Sequence, residues 1–412
     1  MEHGSAQRRK RLLVLGAGPA QLDLLAAARD RGDLHVIAAD RDPSAVGFRL
    51  ADRRALISTE DEPALERLAR AEAVDAVIAP GIDWPVAVAA RIAQRLSLPH
   101  PLSPETAVLA TSKLRQRERL DAAGVPQPRW RVVSEANDEL PVPSVVKAPD
   151  RQGQRGLALV GKRGELAGAV AGAVAASRGG VALVEELVDG PEVTVNAISF
   201  RGAFHPLTVT DRLTADAPAF GVALAHAWPG ERDTVEAVEV ARAAAEALGI
   251  EDGPTYTQLR LGPEGPQVVE LAARLGGGHD AELSRAALGI DLNRLALSAA
   301  LGEELVVPEP QRAGGACVLF LVPPAGELRE VAGLEEAAAV EGVEWIRIYR
   351  SPGHRFGELR IGADRAGAVL AVGDSRADAL ERAGRAAALV RFETVPEPEQ
   401  VALCNKEGPV RP

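Results

Sequence analysis

TYTQLRLGPEGPQVVELAARLGGGHD, residues 255–280, holds two apolar and β-branched runs joined by a GPEG turn and closed by three glycines. Such runs about a short glycine-containing turn read as a β-hairpin. Gln258 and Glu270 stand on its two arms, so adjacent strands can set them side by side on one face. Two oxygen donors so placed suit Mg²⁺, which takes one or two protein ligands and completes its shell with phosphates and waters. Arg274 follows four residues after Glu270, where a guanidinium could bind a substrate carboxylate or a developing oxyanion. Gly276 to Gly278 would let the backbone approach the same place closely.

Working upstream, residues 184–192 read VEELVDGPE, a strand running into an acidic turn. Its backbone groups could read an adenine edge at Glu185, Glu186 and Val188, and Glu192 could accept from ribose hydroxyls. In isolation the segment would pass for an exposed acidic turn. Before it, PSVVKAP carries Lys147 on a short strand, DRQGQRG supplies Gly153 and Gly156 with Arg151 and Arg155, and LALV returns as a second strand. Backbone amides at glycines plus cations make a mobile cover for phosphates. Lys113 lies on a charged helix ended by Gly124 and two prolines. Either lysine alone would read as a solvated face residue.

Residues 11–110 alternate strands (RLLVLGAG, LHVIAAD, ALIST, DAVIAPG) with helices (PAQLDLLAAARDRG and VAVAARIAQRLSL among them). That alternation specifies a parallel sheet with helices on both faces. GAGPAQ, residues 16–21, opens the first helix and Asp40 follows at the next strand end, the setting of a dinucleotide-binding loop. Gln21 stands where that loop wants its third glycine, so the glycines are equally read as a tight strand-to-helix turn. A helix is expected from about Thr234 to Leu248. Beyond Gly314 come the strands ACVLFLVPP, ELREV and WIRIY, with GELRIGADRAGAVLAVGDS continuing as β, then the amphipathic helix SRADALERAGRAAALVRF.

The order of these parts resembles the ATP-grasp superfamily of carboxylate–amine ligases, carried by Lys113, PSVVKAPDRQGQRGL, VEELVDGPEVTV and TYTQLRL with QVVELAARLGGGHD. The resemblance implies an α/β and α+β multidomain chain. Its parts would be a Rossmann-like pre-ATP-grasp domain (1–110), a first ATP-grasp subdomain with the phosphate loop (111–182), a central subdomain with the metal site (183–312) and a C-terminal α+β domain (313–412). It further implies ATP as cofactor with Mg²⁺ or Mn²⁺. Lys113 and Lys147 would lie on the phosphates, with Gly153 and Gly156 over them. Glu185, Glu186, Val188 and Glu192 would hold the nucleoside, Glu270 would bridge metal ions, and Gln258 would take the first metal position. Many members carry glutamate where Gln258 stands, and an asparagine where Ala272 stands.

The string E-x-A-A-R around Ala272 is similar to the L-amino-acid ligases, the dipeptide synthetases of the bacilysin type. So is TDRLTADAPAFGVALAHAWPGE, residues 210–231, which brings Asp211, Arg212, Phe220 and His226 in the expected order. The resemblance implies His226 and Arg274 at the dipeptide site, and an acyl phosphate formed from a carboxylic acid and passed to an amine. It also implies a homodimer. Other readings stand beside it: a purine-pathway or biotin-type carboxylase activating bicarbonate, a nicotinamide-dependent oxidoreductase using GAGPAQ, or a nucleotide-binding protein without catalysis.

Composition fits a small-molecule enzyme. The formal net charge of −11 and 3% aromatic residues argue against nucleic-acid binding, since both the basic footprint and the stacking platforms are missing. No run approaches the roughly 20 apolar residues of a membrane span. Two cysteines, Cys317 and Cys404, give no metal spacing and no disulfide framework, which suits a reducing cytoplasm. Residues 1–7 read as a disordered or appended tail.

Overall fold

The computed structural model describes residues 8–232, 234–311 and 314–396; the expected N-terminal tail and Cys404 lie outside these. Among the described residues no helix is long and apolar enough to cross a membrane.

The N-terminal unit is the expected parallel sheet. Its strands run 53–56, 34–40, 10–15 and 76–78 in spatial order. Leu12 to Leu15 are all buried because helices cover both faces, the condition that makes a parallel strand read as a continuous apolar run. The loop after the first strand holds no room for a pyrophosphate. The Gln21 side chain fills it, 3.0 Å from where a Cβ on Gly16 would stand. Asp40 spends its carboxylate on the Ala17 and Asp42 amides, at 2.8 and 3.0 Å. The glycines therefore serve the turn, and nothing in this geometry supports the nicotinamide reading.

A second, four-stranded sheet orders the strands Trp130–Val133, Ala182–Glu186, Ser144–Lys147 and Leu157–Val160, all antiparallel. One helix, Leu166–Ala176, covers it through Leu166, Val170 and Ala173. The 182/183 division falls at the start of the strand Ala182–Glu186, so we propose that this subdomain closes after Glu186.

The third sheet has eight strands, ordered 265–272, 253–262, 192–200, 203–214, 223–228, 315–321, 367–373 and 343–348. It runs without a break across the 312/313 division, because Ala223–Trp228 pairs with Gly315–Leu321. The C-terminal segment is thus built partly onto the central subdomain. Helix Val235–Ala247 packs on one face through Ala237, Val240, Ala241 and Ala244. Helices Asp280–Leu288 and Leu292–Ala300 pack on the other. A last sheet of three strands (355–356, 326–332, 391–395) ends the described chain.

The expected β run GELRIGADRAGAVLAVGDS forms a strand only at Gly367–Gly373. Before it, Asp364 accepts from the amides of Arg360 and Ile361, both at 2.9 Å, and this folds the chain into a turn that competes with a sheet ladder.

Candidate active site

The hairpin 253–262/265–272 places Gln258 directly opposite Glu270. The Gln258 amide nitrogen donates to the Tyr256 hydroxyl at 3.1 Å, which leaves its carbonyl oxygen for another partner. Glu270 Oε1 lies 2.8 Å from Lys113 Nζ. Burial alone would raise the Glu270 carboxyl, but Lys113, Lys147 and Arg274 outweigh it and hold the group below the usual range. Burial pulls Lys113 down, and Glu270 and Asp83 more than reverse this. The carboxylate and the ammonium are therefore both charged where they meet.

Lys147 sits one layer deeper. Its Nζ lies 2.8 Å from Glu185 Oε2, and Glu185 Oε1 receives Arg117 Nε at 2.7 Å. Arg117 also donates to the carbonyls of Val268 and Val269, at 2.9 and 2.6 Å. Burial lowers Lys147 more than Glu185 restores it, while burial of Glu185 is outweighed by Arg117 and Lys147, which hold its carboxyl low. The Glu185 side chain thus supports Lys147, and only its backbone is left for a base edge. Glu186 turns outward to the exposed Arg129, at 2.6 Å. Val188 lines the cleft, and its N–H meets no acceptor among the described residues. Glu192 is buried, with Oε1 2.6 Å from Arg212 Nη1 and Oε2 3.8 Å from Arg260 Nε.

These groups line one cleft of about 760 Å³ between the four-stranded sheet and the large sheet. Gly153 lines it with a left-handed φ of +66°. Gly156 does not. A Cβ there would stand 2.7 Å from Ala176 Cβ and 3.1 Å from Ala148 Cβ, so the residue is glycine for packing against the covering helix. A place for its backbone over the phosphates stays a proposal. The loop 150–156 bridges the units: Gln152 accepts from the Asp83 amide at 3.0 Å, and Gln154 accepts from the Gly362 amide at 3.3 Å.

A second cavity of about 1670 Å³ lies beyond the hairpin. Arg212, Gln258, Glu270 and the loop residues 153–155 line both spaces, so the two meet at the Gln258/Glu270 pair. Arg274 is in its wall, ion-paired with Asp83 and donating to the Leu275 carbonyl at 2.7 Å. His226 is there too, buried, with Nδ1 3.7 Å from Asp280. Burial lowers His226 to about 4 despite Asp280, so its imidazole is neutral at pH 7. His279 adopts a left-handed φ of 63° and meets the Tyr349 hydroxyl at 2.5 Å.

The His226 shift has a consequence for stability. The folded pKa is depressed, so the unfolded chain binds the proton first. Stability present above the unfolded value of about 6.5 is lost as pH falls toward 4, on the order of 3 kcal/mol at most. His226→Gln should flatten the fall of Tm between pH 6.5 and 4, as measured by calorimetry. An unchanged slope would remove His226 as its source. Packing is equally tight at Gly276, where an added Cβ would lie 2.2 Å from Asp280 Oδ2 and 2.6 Å from Tyr256 Cδ2. Gly276→Ala should cost about 1–3 kcal/mol in urea unfolding; a loss below about 0.5 kcal/mol would mean that this corner yields freely.

Arg117, Tyr256, Asp83 and Asp280 were not anticipated from sequence. Arg117 sits in KLRQRERLDA, where every second residue is charged and nothing marks one arginine as buried. Asp83 is brought to Arg274 only by the docking of the N-terminal unit.

Residues 319–395 match the family model described as L-amino acid ligase C-terminal domain 2. A phosphoribosylamine–glycine ligase of Leifsonia xyli is 30% identical over 314 residues, 70% of this chain and 74% of that protein. The chain belongs to the ATP-grasp family of ATP-dependent carboxylate–amine ligases. An uncharacterized protein of Sinorhizobium fredii is also 30% identical, over 71% of this chain, and the chain spans 63% of its length. Among solved structures, the L-amino acid ligase of Bacillus licheniformis superposes with a TM-score of 0.81 at 21% identity, covering 94% of this chain and all of that one. That ATP-grasp ligase likeness concerns the fold.

Proposed function

We propose that the chain activates a carboxylic acid with ATP, as an acyl phosphate, and transfers the acyl group to an amine, both substrates being amino acids or close derivatives. One observation carries this reading: the cleft beside the hinge strand and the larger cavity meet at Gln258 and Glu270. In this reading a triphosphate end and a carboxylate would meet there. The match of residues 319–395 to an L-amino acid ligase domain supports the amino-acid choice over bicarbonate.

In this reading Val188 and the hinge backbone hold the base, Glu192 takes the ribose, and Lys113 and Lys147 turn their ammonium groups to the phosphates. Gly153 and its neighbours close over them. The donor set fits a divalent cation: one charged carboxylate at Glu270 and one amide oxygen at Gln258, with ATP supplying the rest. Mg²⁺ or Mn²⁺ bound there would neutralise charge on the phosphates. With Ala272 in place of a further ligand, Glu270 is the principal anchor. Arg274, fixed by Asp83, would face charge developing on the acyl oxygen. Neutral His226 can accept a proton-bearing group or donate one hydrogen bond without adding charge. The protein's work is positioning and charge neutralisation, the main sources of rate in phosphoryl transfer.

The test is phosphate release from Mg-ATP with each of the twenty L-amino acids, singly and in pairs. Release that depends on particular amino acids, with a matching dipeptide mass, is expected. Equal release with and without every amino acid would discard the amino-acid reading.

A further inference from the structure

An amino acid arrives as an ammonium at pH 7, and its nitrogen must lose a proton before it can attack an acyl phosphate. Most groups in the wall of the large cavity that could take this proton are already engaged. Glu270 is ion-paired with Lys113, and Asp83 with Arg274. The Tyr256 hydroxyl accepts from Gln258 at 3.1 Å. Asp280, next to the wall, accepts from Asn196 and from the Gly278 amide, both at 3.3 Å. His226 resists a proton, because burial holds it at about 4. His279 and Tyr349 remain among the described residues, with the imidazole Nε2 2.5 Å from the phenol oxygen.

The surroundings of His279 suit an added positive charge. Its Nδ1 lies 3.5 Å from Glu282 Oε2. Arg347 Nη1 is 3.4 Å from the same nitrogen, but both terminal nitrogens of that guanidinium are bound more closely to the Asp23 carboxylate. The two carboxylates are drawn apart. Burial and Glu282 push Asp23 up to about 6 against Arg347, while burial of Glu282 is outweighed by His279, Asp23 and Arg347, which hold it at about 2. Both are ionised at pH 7, so with Arg347 they leave one negative charge that an imidazolium would balance. Trp345 and Phe320 pack on the imidazole, 4.9 and 6.3 Å away between ring centres, and Arg365 stacks on Phe320 at 3.7 Å. With its proton on Nδ1, toward Glu282, the imidazole keeps Nε2 to accept from Tyr349. That phenol stays neutral, because burial outweighs the pull of Arg365 and Arg347. His279 also holds a left-handed φ of 63° without being glycine, a backbone outlier of the kind kept where a side chain has to be aimed.

Resting on the ligase reading above, we propose that Tyr349 and His279 together take the proton from the incoming amine, with Glu282 as the positioning residue behind them. The ammonium nitrogen passes a proton to the Tyr349 oxygen as the Tyr349 proton moves to His279 Nε2. The freed lone pair forms the C–N bond, the acyl C–O bond breaks, and phosphate leaves with that electron pair. Phosphate also takes the second proton that the nitrogen sheds as the amide forms, and the imidazolium returns its own to solvent.

Hydroxylamine separates this role from a structural one, because it is already neutral at pH 7 and attacks an acyl phosphate without a base. The full chain and its Tyr349→Phe, His279→Asn and Glu282→Gln variants should be given Mg-ATP and the twenty L-amino acids, with hydroxylamine or with an amino-acid acceptor, and hydroxamate and dipeptide read by mass. Asparagine is chosen at 279 because it tolerates the left-handed backbone. Wild type is expected to form both products. Tyr349→Phe and His279→Asn should keep hydroxamate formation within about threefold while dipeptide formation at pH 7 falls about 100-fold, the scale of losing a general base. Glu282→Gln should show the same split with a smaller fall. Dipeptide formation in Tyr349→Phe should recover as the pH is raised and the acceptor supplies its own free amine. Equal loss of both products, or dipeptide formation unchanged in Tyr349→Phe and His279→Asn, overturns the proposal while leaving the ligase reading in place. A wild type that forms no hydroxamate with any amino acid removes the ligase reading and the proposal together.

Discussion

Glu270→Ala should lower kcat/KM at least ~100-fold, about 3 kcal/mol of barrier, the scale of losing one preorganised electrostatic contact. Glu270 is the charged oxygen donor at the junction of cleft and cavity, opposite the neutral Gln258. Lys113, Lys147 and Arg274 keep it ionised, so the residue that would hold a divalent cation is charged before the nucleotide arrives. Its removal also leaves Lys113 facing no carboxylate at 2.8 Å. The measurement is steady-state phosphate release at saturating Mg-ATP, with protein folding checked by Tm. A variant within threefold of wild type would put the cation, or the chemistry, elsewhere.

Glu185→Ala should cost stability rather than chemistry alone. The carboxylate lies between Arg117 and Lys147, at 2.7 and 2.8 Å, with all three side chains almost fully buried. Removing the one anion leaves two buried cations facing each other, and breaking a buried pair costs about 3–5 kcal/mol. The reading-out is the urea midpoint of wild type and variant. Lys147→Met is the contrasting change. It keeps the Arg117–Glu185 pair and so should unfold closer to wild type, while turnover falls by ~100-fold. If Glu185→Ala unfolded within about 1 kcal/mol of wild type, the triad would be dispensable to folding and Glu185 would be free to act on the nucleotide directly.

How far the sequence reached follows from the range of each interaction. The hairpin was legible from its turn, but the pairing of Gln258 with Glu270 only in part: the turn register alone would oppose Gln258 to Val269, and a bulge between Gln258 and Leu259 shifts it to Glu270. The parallel sheet at 10–78 was legible because its strands 10–15, 34–40 and 76–78 are buried on both faces and read as apolar runs, while the edge strand 53–56 is largely exposed. The packing role of Gly156 was not legible, since a glycine needed for a helix to pack closely looks the same in sequence as one needed for a phosphate. The role of Glu185 depended on Arg117, 68 positions away, and that of Arg274 on Asp83, 191 positions away. The merging of the C-terminal strands into the central sheet rests on one long-range pairing, Ala225 to Leu319 and its neighbours, which no local pattern signals.

The central claim is an acyl phosphate made where cleft and cavity meet. The most direct measurement uses the amino acid that stimulates phosphate release, labelled with ¹⁸O in its carboxylate, in unlabelled water. Attack of that carboxylate on the γ-phosphate, followed by cleavage of the acyl C–O bond by the amine, hands one labelled oxygen to the phosphate. Mass spectrometry should therefore find inorganic phosphate carrying a single ¹⁸O in step with product formed. Unlabelled phosphate alongside the same product would contradict an acyl phosphate.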